Sequence, residues 1–232
     1  MSRISRRAMV LGLCLASTSS AAAPRQSAQQ EQPDSATIGA AIAELDRLHQ
    51  ELVRRRQALE AGQPVEPDGE RMFEAQVRLV QVLIKSEDPI VIRPLVSTMV
   101  GTPVMNAVAA FGELAVADVM AAAADPYADQ RINALKTLQR MLEGQVRHPL
   151  SPASMQWIIV VAQQRLLQEQ SPVVIWNAVD LAAATKDPVL IDMVRRIASN
   201  GAEVRALGII GPRDIEQTQK RARAALTARG LR

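Results

Sequence analysis

Met105-Asn106-Ala107-Val108, Ile132-Asn133-Ala134-Leu135 and Trp176-Asn177-Ala178-Val179 are three copies of one phrase. In each, a large apolar residue is followed by Asn, Ala and a branched aliphatic, and each copy stands two to six residues after a proline-marked turn, at intervals of 27 and 44 residues. A phrase that returns together with its turn marks a repeated supersecondary unit, and such units stack because none can bury its apolar face alone. The phrase predicts a stack of helical units.

Outward from the phrase, the punctuation agrees. Asp88-Pro89, Thr102-Pro103, Asp125-Pro126, Ser151-Pro152, Ser171-Pro172 and Asp187-Pro188 each place a good N-cap residue before proline, at steps of 14, 23, 26, 20 and 16 residues. The cap side chain accepts from an orphan N–H, and proline at the first helical position lacks only a donor that had no partner. Six short helices are expected. The apolar content is Ala, Leu, Val, Ile and Met, with aromatics at 2%, which suits close helix packing better than strands. Upstream, Ile38, Ile42, Leu45, Leu48, Leu52 and Leu59 recur at helical spacing over residues 36–61, with Gly62 as the stop. A turn-rich break over 63–69 leads into a second helix over 70–86, with Phe73, Val77, Val80 and Ile84 on one side. The class is therefore all-α, with a helical hairpin over residues 36–86 that caps a repeat region over 87–232. Arg54, Arg55 and Arg56 point about 100° apart on the first helix and are expected to form a solvated face.

Asp125-Pro126 leading into Arg131-Ile132-Asn133-Ala134-Leu135-Lys136-Thr137-Leu138 resembles the second helix of a HEAT-like repeat, as do residues 104–111 followed by Gly112. Asp187-Pro188-Val189-Leu190 resembles the entry into a first helix, and Arg221-Ala222-Arg223-Ala224-Ala225-Leu226 a final second helix. The resemblance runs over roughly residues 87–230 and implies an α-solenoid of helical hairpins. The family's usual Val-Arg pair is missing from the copies at 104 and 174. The unequal intervals mean that one repeat is truncated or one helix lengthened, and a globular helical bundle is the alternative architecture.

The N-terminus reads as an address. Arg3, Arg6 and Arg7 precede an apolar run over 8–16 and a small-residue run over 17–23, the pattern of a secretory signal peptide, too short in its apolar part to span a bilayer. Residues 1–23 are thus expected to be removed after Ala22 or Ala23, leaving a Gln-rich tether over 24–35 and a periplasmic or secreted protein without stable membrane insertion. Ser5-Arg6-Arg7-Ala8-Met9-Val10 also resembles a twin-arginine signal, with Met9 and Val10 where that pattern prefers Phe and Leu. The leader holds all the charge excess: 27 Lys+Arg against 24 Asp+Glu become 24 and 24 without it. The high calculated pI is therefore no argument for nucleic acid. Cys14, the single cysteine, leaves with the leader, so disulfides, thiolate metal sites and cysteine nucleophiles are not expected.

What remains is a binding problem. Asn106, Asn133 and Asn177 hold equivalent positions in successive units and would form a ladder if the second helices line one face; a column of amides offers donors and acceptors to an extended peptide. Alternatively, each ties its own helix to a turn. Residues 193–232 hold nine Lys+Arg and three Asp+Glu; Arg221 and Arg223 in this basic tail would dock an acidic partner, or else the tail is the polar outer face that a terminal repeat needs. Trp157 and Trp176, the two tryptophans, are expected to pack in the core; exposed in a groove, they would instead be binding anchors. His49 and His148 are isolated, so no metal is expected, and no phosphate loop or nucleophile motif stands out. The expectation is a non-catalytic adaptor without cofactor, its partner another protein or an extended peptide. The alternative is a small-ligand pocket within the helical array; the tetrapyrrole lyases that some HEAT-like families resemble would want His, Cys or several aromatics, of which this chain has almost none.

Overall fold

Asp34 caps the first helix. Its carboxylate accepts from the Thr37 N–H at 2.7 Å and starts helix α1, Ser35–Glu60, so Ser35, expected to be the last residue of the 24–35 span, belongs to the helix. The structure, a computed structural model, describes residues 33–64, 69–98, 101–144 and 146–231. The expectations for residues 1–32, signal peptide and tether, lie outside the described residues. Gln32–Arg232 forms one compact unit.

Gly62, at φ 69°, closes the C-terminus of α1 after its stripe of Ile38, Ala41, Leu45 and Leu48 has been buried. Helix α2, Gly69–Leu83, packs back on it. It buries Met72, Gln76, Val80 and Leu83, while Phe73 and Val77 stay exposed. Of the expected face, Val80 is buried and Ile84 half-buried while Phe73 and Val77 are not covered, because α2 packs chiefly against α1 and only one stripe of it is covered.

Among the described residues nine further helices follow: α3 Ile92–Ser97 after a 3-10 turn at Pro89–Val91, α4 Thr102–Ala110, α5 Glu113–Ala123, α6 Ala128–Glu143, α7 Pro152–Gln168, α8 Pro172–Thr185, α9 Pro188–Ser199, α10 Gly201–Ala206 and α11 Pro212–Ala228. All regular structure among the described residues is helical. The helices pair as hairpins α3/α4, α5/α6, α7/α8 and α9/α11, with the short α10 packed between the last two. Their second members stack in order, α4 on α6, α6 on α8 and α8 on α11; of the first members, α3 packs on α5 and α5 on α7, and α1 covers α3. The result is a two-layer, solenoid-like helical array.

Ser151 accepts from the Ser154 N–H at 3.1 Å and Asp187 from the Val189 and Leu190 N–H groups at 3.0 Å, while Asp88 opens the 3-10 turn through Ile90. Three of the six expected caps act differently. Thr102 lies inside α4, which starts from Gly101 at φ 86°. Asp125 accepts from Tyr127 N–H and closes a turn three residues before α6 begins. Ser171 makes no side-chain cap; its own N–H donates to Glu169 at 3.0 Å. Pro marks the break in each case, but the residue before it does not always supply the cap.

The unequal intervals also resolve. Between the first two copies of the phrase lies only the 11-residue α5; between the next two lie the connection 144–151 and the 17-residue α7. That connection folds back onto the α4–α5 corner. Arg147 N–H donates to Ala110 O at 2.7 Å, Glu113 N–H donates to His148 O at 3.0 Å, and the Arg147 guanidinium stands 5.4 Å from the Phe111 ring centroid. At the centre of the array, α8 is covered by α6, α7, α9 and α11, and Ile175, Ala178, Val179, Leu181, Ala182 and Ala183 on several sides of it are fully buried. A helix apolar all round belongs inside, and its alanines let the neighbours approach closely.

Candidate functional site

Four helices of the second layer share an open, polar surface. Between α4 and α6, Asn106, Arg140 and Glu143 line a depression of about 310 Å³ floored by Ala109 and Ala110. Glu143 also borders a second, of about 570 Å³, where Gln139 of α6, Asp180 of α8 and Arg221 and Arg229 of α11 meet above Ala225 and Ala228. The two depressions adjoin at Glu143, and together they are called the groove.

Both of its carboxylates are paired within the protein. Arg221 Nε donates to Asp180 at 2.9 Å, Arg229 pairs with Glu143, and Gln139 Nε2 donates to Glu143 at 2.9 Å. Arg140 is laid along its own helix by a 3.1 Å bond to Lys136 O and lies 3.7 Å from Met105 Sδ. Cations and anions thus alternate over an alanine floor. The surface offers donors and acceptors in both senses and places no strong excess of one charge.

The three asparagines are not equivalent here. Asn106 is exposed on the groove's rim, and Asn133 is half-buried on α6, outside either depression. Asn177 is buried, its Nδ2 donating to Val173 O one turn earlier at 2.7 Å. A continuous exposed column therefore does not form, because α8 is central and covered where α4 is not. Arg221 joins the groove; Arg223 instead donates to Ala198 O at 2.8 Å and caps the C-terminus of α9. Among the residues that the sequence reading missed, Arg140 and Asp180 stand seven positions after Asn133 and three after Asn177, and Glu143 lies one turn beyond Arg140. The phrase marked the right helices, but the polar groups that reach the surface sit one or two turns downstream.

The tryptophans part company with the core expectation. Trp157 is 61% exposed on α7. Trp176 is half-buried and its Nε1–H donates to Thr218 Oγ1 at 2.8 Å, joining α8 to α11. An apolar cleft between α2 and α4, lined by Phe73, Val77 and Pro103, holds about 180 Å³, less than the few hundred typical of a ligand pocket, and has no tryptophan in its wall. A third polar depression, of about 400 Å³, lies where His49, Arg93, Asp118 and Tyr127 approach one another across α1, α3, α5 and the α5–α6 turn. Among the described residues no three His, Cys, Asp or Glu side chains gather as a metal site, and no helix is long and apolar enough to cross a membrane.

Nothing matches this chain among protein-family models, curated proteins or solved structures. The groove is left to be interpreted from its own chemistry, that of paired carboxylates, arginines and amides on a floor of small side chains.

Proposed function

We propose that the chain is an exported, non-catalytic adaptor of the cell envelope, built as a HEAT-like solenoid, whose second-layer groove receives an extended segment of another protein. One observation carries this reading: the open row of Asn106, Arg140, Glu143, Asp180 and Arg221 across four stacked helices. An extended chain needs main-chain donors and acceptors met along its length, which amides and paired charges supply. The alanine floor leaves room for a backbone to lie close. The leader-like sequence of residues 1–23 is what supports export.

The test is cross-linking and co-purification of the tagged protein from its native envelope, comparing wild type with Asn106→Ala/Arg140→Ala/Arg221→Ala and with Arg223→Ala. A stoichiometric partner kept by wild type and Arg223→Ala but lost by the triple variant, at unchanged helical content, is the expected result. Equal capture by all three, or none by any, defeats the groove. A small-ligand role would then rest on the depression at His49, Arg93 and Asp118.

A further inference from the structure

Where α1 covers α3, the depression of about 400 Å³ carries charges that the protein leaves unanswered. His49 of α1, Arg93 of α3 and Asp118 of α5 line it, with Asp125, Tyr127 and Gln130 on the side towards α6. Among the described residues the side chains of His49, Arg93 and Asp118 make no hydrogen bond or ion pair, although His49 and Asp118 are half-buried. Gln130 donates through Nε2 to Ser97 O at 3.2 Å and leaves its Oε1 buried without a donor. In the second-layer groove, by contrast, both carboxylates are paired.

The charge pattern restricts the occupant. Two carboxylates, Asp118 and Asp125, stand against one guanidinium, Arg93, so the depression suits a net cation that also carries an anionic group. The C-terminal end of the 11-residue α5 adds the negative pole of its helix dipole, and Gln130 Oε1 is a further acceptor without its donor. The ring of Tyr127, 38% exposed, is a face against which a cationic group can lie. A volume of about 400 Å³ falls within the roughly 300–1,000 Å³ of small-molecule sites. A basic α-amino acid has the required set, one carboxylate and two cationic groups. A neutral amino acid leaves one of the two carboxylates unmet, and an acidic one adds a like charge.

We infer that this depression binds a basic α-amino acid, L-arginine or L-lysine, with its two cationic groups towards Asp118 and Asp125 and its carboxylate on Arg93. The inference stands apart from the adaptor reading, since none of these residues lines the second-layer groove.

The experiment is isothermal titration calorimetry on the purified full chain at fixed ionic strength, with L-arginine, L-lysine, L-glutamate and agmatine, the last being arginine without its carboxylate. The variants are Asp118→Asn, Arg93→Gln and, as a charge-matched control at an exposed position of α11, Glu216→Gln. Wild type should bind L-arginine or L-lysine in the micromolar range and give no heat with L-glutamate. Asp118→Asn should weaken L-arginine by about tenfold or more at unchanged helical content, and Glu216→Gln should leave it unaltered. Arg93→Gln should weaken L-arginine by a similar factor yet bind agmatine at least as well as wild type, because only the amino acid offers that guanidinium an anion. The ligand series on wild type decides the matter even where a variant fails to fold. Absence of binding by both basic amino acids up to millimolar concentration overturns the inference. So does equal affinity for L-glutamate, an Asp118→Asn variant that binds as wild type does, a Glu216→Gln variant weakened as much as Asp118→Asn, or Arg93→Gln losing agmatine and L-arginine alike.

Discussion

At Gly112 the backbone takes φ 54°, and a Cβ there would lie 2.0 Å from His148 O and 2.9 Å from Val146 Cβ. Both the left-handed conformation and the space require glycine. Gly112→Ala should destabilise the fold by at least about 2 kcal/mol, seen as a lowered urea midpoint, because the connection 144–151 must leave the α4–α5 corner. Glu169 is the second sensitive residue. Burial pushes its carboxyl up, but Arg131, bonded at 2.8 and 3.0 Å, and the N–H groups of Ser171 and Gln170 outweigh this and hold it below the ordinary value of 4.5. A folded pKa below the unfolded one stabilises fully above that ordinary value, and the contribution fades as pH falls through the lower, folded pKa. Glu169→Gln should therefore cost about 3 kcal/mol near neutral pH by leaving Arg131 buried without its anion. The variant and the wild type should converge once the pH is below both values; urea titrations at several pH values check this.

At the scale of elements, α8 and α11 depend on each other. Trp176 Nε1–H reaches Thr218, whose hydroxyl donates on to Asp214 O at 2.6 Å, and Asp180 holds Arg221. Trp176→Phe should cost about 1 kcal/mol, the net worth of one hydrogen bond. A chain ending at Gly211 should fare far worse: it strips α11 from α8 and α9, which it packs against along its length, and exposes the apolar stripe of α9, Val194 and Ile197 included. The expected outcome is aggregation or loss of cooperative unfolding by circular dichroism. Inside α8, Leu181→Ala removes a fully buried side chain between helices and should cost about 3 kcal/mol.

Over the whole molecule, stability should be graded. Stacked units contact mainly their neighbours, so each region is as stable as what covers it. Helix α8 has four partners, whereas α2 packs chiefly on α1. Hydrogen exchange followed by mass spectrometry should find α8 amides exchanging only through global opening and α2 amides through local opening. Equal protection in the two helices would contradict the layered array. The same grading puts the groove on the well-held second layer, where a rigid surface loses little entropy on binding.

The all-helical class, the break points and the second-layer helices were legible in the residues, because helical spacing and Pro after a capping residue are local signals. Ser151 and Asp187 cap as their side chains dictate, and the Asn phrase names α4, α6 and α8. Exposure was not legible. Whether Asn177 faces solvent, whether Phe73 or Met72 is covered and whether Trp157 lies inside depend on which helices stand alongside, and that is settled by contacts between residues far apart in the chain. The pairs that build the groove, Asp180 with Arg221 and Glu143 with Arg229, lie 41 and 86 positions apart. No local pattern joins such residues. Only the stacking of one hairpin on the next sets them side by side.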